Sequence, residues 1–384
     1  MTQRFFAKQL FDGQQLLDNV AFEVTDGWIS EIQPRATIDA AMTFVDGLVV
    51  PGFIDVQVNG GGGVMFNQTP TASAINRIGQ AHAQFGTTGL LPTVITDDIE
   101  VMTQAADAVS QAIAEGQHNV LGIHFEGPHL SVARKGVHAE HHIRPLTERE
   151  FDQFIRQDLG KVVVTLAPEN VSTEQIARLT QHGVLVCLGH SNASFKQVQA
   201  AIAAGARGFT HLFNAMSPLQ SREPGMVGAA LLDNHTWCGL IVDGHHVHPA
   251  TLQLAIAAKA AGKMMLVTDA MPPVGDSKPS FSLYGQEIIR TEDRLNAKTG
   301  ELAGSVLDMA AAVRNTVSQL GLPLVDALKM ASRYPAEFAL LADEVGSLGA
   351  GKRANFVVLD AALMVQQTWL AGECIYHRDS TAIG

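Results

Sequence analysis

From about residue 53 onward, apolar runs of strand length alternate with segments long enough for a helix, and few architectures accept that pattern. The runs begin near Ile54, Leu90, Val120, Val162, Val184, Phe209, Gly239 and Met264. The first of them, within residues 48–59, is apolar almost throughout, as expected of a strand covered on both faces. Eight such runs with helical spacers between most of them predict an α/β fold, a (β/α)8 TIM barrel. The chain before it has another style, with short strands over residues 5–10, 20–24 and 28–32 and a turn at Asp26-Gly27. That style returns near Val345, in strands over 354–360 and 364–376. Both ends together therefore predict a second, small β-sandwich domain, residues 1–50 and 345–384, with the barrel inserted as residues 51–344. There is no internal repeat and no low-complexity linker.

Composition narrows the function. With 46% hydrophobic residues in 384, the chain can bury a large core. A formal net charge of -12 argues against nucleic acid or an anionic membrane as the main partner. Any anionic substrate must then meet local positive groups. Cys187, Cys238 and Cys374 are far apart in sequence and read as buried thiols of a reducing compartment. No signal-peptide region and no apolar run of spanning length is present, so a soluble, cytoplasmic protein is expected.

The chemistry collects at strand ends. His190 and His211 each follow a buried run, at the carboxyl rim where a barrel of this kind handles ligands. In His124-Phe125-Glu126, strand alternation puts His124 and Glu126 on one face. A carboxylate at a buried strand end needs a partner. A divalent ion shared with His190 and His211 supplies one, and two imidazoles with a carboxylate suit zinc or a similar ion. His124 then supports the site rather than binding the ion. Asp269 ends another apolar run, and Pro272-Pro273 close behind it argue against a helix cap, which makes it the general-base candidate. Gly60 to Gly63 lacks a following Lys-Ser or Lys-Thr and reads as a turn. Arg222 lies in the loop after the His211 run.

These pieces together resemble the amidohydrolase superfamily and, within it, the N-acetylglucosamine-6-phosphate deacetylase family. The resemblance runs nearly end to end: PGFID at 51–55, HFEGPH at 124–129, KGVH at 135–138, GHSNA at 189–193, THLFNAM at 210–216, REPG at 222–225, DGHHVH at 243–248, TDA at 268–270, LAGS at 302–305 and GKRANFVVLD at 351–360. HLFNAM with REPG and DGHHV is the specific part. Much of the superfamily has HxH on the first barrel strand, where this chain has Gln57 and Asn59. The resemblance thus implies one divalent metal per chain, zinc first and iron(II) or another ion second, held by Glu126, His190 and His211. It implies Asp269 as general base and then acid, with His138 on the oxyanion. It places the phosphate on Arg222, the backbone at Asn214 and Ala215, and His246. Residues 271–276 read as a lid. It also implies a homodimer in which His246 reaches the neighbouring site, with service to its own site as the alternative. The implied reaction releases acetate from N-acetyl-D-glucosamine 6-phosphate. The galactosamine epimer, another amidohydrolase reaction such as that of an aminoacylase, and a non-catalytic scaffold are the alternatives.

Overall fold

The computed structural model describes residues 2–298 and 300–378. Met1, Thr299 and residues 379–384, which fall in the two expected domains, lie outside the described residues. Eight parallel strands form one sheet in chain order: Phe53–Val58, Thr87–Ile95, Gly122–Glu126, Lys161–Leu166, Leu185–Leu188, Gly208–Phe209, Trp237–Leu240 and Met264–Leu266. They coincide with the eight apolar runs. Nearly every residue in them is buried, because the sheet faces its own interior on one side and helices on the other.

The sheet closes just past its last strand. Val58 bridges Ala270 in parallel, and Asp269 N–H donates to the Gln57 carbonyl at 3.1 Å. The Asp55 carboxyl spans the same seam, accepting from the backbone N–H of Gln57 and Thr268 and bonding the Thr268 hydroxyl. Burial pushes its pKa up to about 7 against those hydrogen bonds. Helix starts are written locally. Ser172 and Ser194 each cap a helix, and Gln175 and Gln197 complete the capping boxes.

Both chain ends build a separate seven-stranded sheet from Thr2–Phe11, Leu16–Thr25, Trp28–Gln33, Thr43–Pro51, Phe356–Leu359, Val365–Leu370 and Glu373–His377. It has its own aromatic core, in which Phe5, Phe22, Phe356 and Trp369 pack with ring centroids 5.0–5.6 Å apart. Residues 60–65 form the turn expected there, a small hairpin. One element was not legible in the sequence. Ser280–Leu283, Gln286–Thr291 and Arg294–Ala297 make a three-stranded antiparallel sheet with its own apolar cluster against Met65, Ile95 and Met271. No helix among the described residues is long and apolar enough to cross a membrane.

Candidate active site

Parallel register brings the strand ends to one level. Leu188 pairs with Phe209, so His190 and His211, each two residues further on, stand side by side. Both have left-handed backbone, φ 46° and 33°, and so does Asp269 at 53°. Such conformations are costly for residues with a Cβ and tend to persist at functional sites. Here they turn the chain sharply at the end of three strands.

The side chains converge. Glu126 Oε1 lies 3.1 Å from His190 Nε2 and 3.0 Å from His211 Nε2, and the two nitrogens are 3.0 Å apart. His190 Nδ1 bonds the Arg134 carbonyl at 2.9 Å, so its proton is there and the Nε2 lone pair faces the cluster. Burial alone would raise the Glu126 pKa, but the two imidazoles beside it, His190 and His211, hold it well below the carboxylate range. Burial would likewise lower His211, yet Glu126 raises it. The point between these atoms therefore favours positive charge, and the donor set fits a divalent ion.

Around this point lies a cavity of about 190 Å³. It is lined by Asn59, Ile95, Val137, His138, Asn214, Ala215, His246, Asp269, Met271, Leu302 and Gly304 besides the cluster itself. Asp269 Oδ1 accepts from Asn59 Nδ2 at 2.6 Å and from Gln57 Nε2 at 3.2 Å. Gln57 Nε2 also lies 3.3 Å from both Glu126 oxygens. Burial first, and then the charge of Glu126, raise Asp269 to about 6. His138 joins Glu126 and His190 with ligand-type atoms within 4.8 Å of one another. Its Nδ1 is 2.9 Å from Thr96 Oγ1, which also lies 3.2 Å from the Glu126 carbonyl. Burial keeps that ring neutral, its pKa pulled down to about 3.

The other expected residues are placed as follows. His124 has both nitrogens engaged, by the Val56 carbonyl and Thr165 Oγ1, and is no ligand. Asn214 sits between left-handed Phe213 and Ala215, φ 79° and 52°. His246 faces its own chain's cavity, with Nδ1 2.6 Å from Asp243 Oδ2. Arg222 is exposed and outside the lining. Residues 271–274, expected as part of a lid, are buried, and the Pro272 and Val274 carbonyls accept from Gly63 and Gly62 N–H. Sequence reasoning missed Thr96, which the strand-end rule could have found, and Asp243, which stood in view beside the histidines. It read Gln57 and Asn59 only as lost ligands.

Two other places lack this chemistry. A larger cavity, about 830 Å³, lies between the terminal sheet and residues 116–119, and among the described residues none of the ligand-type clusters lies in it. Asp97, Asp98 and His142 also cluster, but the imidazole spends one nitrogen on each carboxylate, at 3.6 and 3.1 Å.

The sequence matches the amidohydrolase family over residues 48–375. The chain belongs to that family. Metal dependence, which goes with membership of this amidohydrolase family, is matched by the Glu126 and histidine cluster. An N-acetylgalactosamine-6-phosphate deacetylase of Shewanella sp. (strain ANA-3) is 50% identical over 380 residues, 97% of this chain and 95% of that protein. The N-acetylglucosamine-6-phosphate deacetylase of Homo sapiens is 37% identical over 87% of this chain and 84% of its own length. Among solved structures, the N-acetylglucosamine-6-phosphate deacetylase from Pasteurella multocida superposes with a TM-score of 0.94 at 33% identity, covering 98% of this chain and 100% of that one.

Proposed function

We propose that this amidohydrolase removes the acetyl group from N-acetyl-D-glucosamine 6-phosphate, giving glucosamine 6-phosphate and acetate. The observation that carries the reading is the convergence of Glu126, His190, His211 and Asp269 on one cavity. Glu126, His190 and His211 hold one divalent ion, zinc in the first place and iron(II) or another ion in the second. When bound, that ion lowers the pKa of water from about 16 towards about 7 and polarises the amide carbonyl.

Asp269 takes the proton of the attacking water. Both amide donors fall on its Oδ1, so Oδ2 is the atom left to accept. A carboxyl poised near 6 can also return that proton to the departing amine. The single hydrogen of Thr96 Oγ1 can serve either His138 or the Glu126 carbonyl. Given to His138 Nδ1, it leaves an Nε2–H facing the cavity to stabilise the oxyanion. The alternating left-handed backbone around Asn214 suits an anion, and we assign it the phosphate together with His246 and Arg222.

The proposal includes a division of the chain near residues 50 and 345, a reducing cytoplasmic location and a homodimer. An exposed Arg222 reaches the phosphate only if its loop moves or a second copy supplies it. Acetate release from both N-acetylhexosamine 6-phosphates and both free sugars, after metal loading, tests the function. No release from any of the four would overturn it. A second reading, the galacto epimer, is favoured by the 50% identity to the Shewanella protein against 37% to the human one. The ratio of kcat/KM for the two epimers decides between them.

A further inference from the structure

The lining of the active-site cavity is divided by the order of the barrel strands. Asn214, Ala215 and His246 follow the sixth and seventh strands. Ile95 ends the second strand, Val137 lies in the loop after the third, and Met271 and Leu302 follow the eighth. In a closed barrel of eight, the second and third strands lie across from the sixth and seventh. Met271, although it follows the eighth, packs with Ile95 in one apolar cluster that Val137 also joins, so these side chains form an apolar wall across from Asn214 and His246. The ligand cluster and Asp269 stand between. The apolar side is the cavity-facing end of a larger body, because Ile95 and Met271 belong to one buried cluster with Leu283, Ile288 and Leu295 of the three-stranded sheet, and Val137 packs against it.

We propose that this apolar wall, backed by the sheet of residues 280–297, seats the acyl group and limits it to one or two carbons. The inference rests on the deacetylase reading. An amide is planar and trans, so the groups on its carbon and its nitrogen point in opposite directions. With the carbonyl over the ligand cluster and the sugar directed to the polar side, the acyl carbon must point to the wall. The wall is closely backed. A Cβ on Gly304 would come within 2.4 Å of Met271 Cγ, so the bare glycine is what lets Met271 lie there. Behind it the sheet cluster is buried. A longer chain must therefore displace packed side chains, and overpacking is costly.

The experiment measures kcat/KM for hexosamine 6-phosphates carrying N-formyl, N-acetyl, N-propionyl and N-butyryl groups. In the unaltered enzyme each methylene beyond acetyl should lower kcat/KM by about 10-fold or more. Leu302→Ala removes a half-buried side chain from the wall, and Met271→Ala removes its backed centre. Each should raise the ratio of butyryl to acetyl turnover by about 10-fold or more. Leu302→Ala keeps the test open if Met271→Ala fails to fold. Acetyl turnover with chain-length ratios unchanged in the variants overturns the acyl wall alone. Absence of turnover across the whole series overturns the deacetylase reading and the wall with it.

Discussion

The exit of the first barrel strand and the exits of the fifth and sixth face the same point with opposite chemistry. His190 and His211 aim their Nε2 atoms at the point where Glu126 Oε1 lies. On the first strand, Asp55, Gln57 and Asn59 share one face by alternation and bond across to Thr268, Glu126 and Asp269. The imidazoles make a place for a cation. The amides can offer N–H groups to both carboxylates and so stand between two buried anions. Positions that could have carried a second pair of ligands here hold Asp269, the proposed general base, instead. Strands on opposite sides of one barrel would thus divide the proposed labour of ion binding and base positioning.

The hardest way to break that division is to remove the carboxylate both sides share. Glu126→Gln should abolish tight metal binding and reduce activity to background, and elemental analysis with acetate release reads both. Asp269→Asn should keep the ion but lower kcat by about 10²- to 10⁴-fold, because an amide cannot accept the water proton. Near-normal turnover in that variant would move the base elsewhere, with His138 next in line. Gln57→His with Asn59→His gives the first strand the same chemistry as the fifth and sixth. Bound metal should then rise from one ion per chain to two, and two tight ions in the unaltered protein would contradict the comparison.

Subtler changes sharpen it. Asn59→Ala removes the 2.6 Å donor from Asp269, a hydrogen bond that lowers its pKa. The acid limb of the kcat/KM profile should move up by about one pH unit. An unmoved limb would mean Asn59 does not tune the base. Asp55, at the other end of the row, affects stability instead. Its folded pKa, about 7, is above its unfolded value of 3.8, so its contribution is full below 3.8 and is lost as pH rises through 7. Asp55→Asn mimics the protonated acid, and the fall in Tm between pH 5 and pH 8.5 should be smaller in the variant than in the parent.

Much of this molecule was legible in the chain. The eight runs predicted the barrel because a strand buried on both faces has to be apolar along its whole length. Glu126, His190, His211 and Asp269 could be picked out because charged or titratable groups ending such runs need partners. The motif resemblance supplied the reaction, which periodicity could not. The sheet of residues 280–297 escaped because its strands are short and half-exposed, with little alternation to mark them. Tertiary structure alone decided what the polar residues do for one another. Gln57 and Asn59 read as absent ligands until register and closure set their amides against Glu126 and Asp269. His246 could be placed only at a strand end from the sequence, and the fold sets it on the cavity lining beside Asp243. Burial and rim position are properties of a segment and are written in its residues. Which donor meets which acceptor depends on the closure of the barrel, a relation between residues more than 200 positions apart.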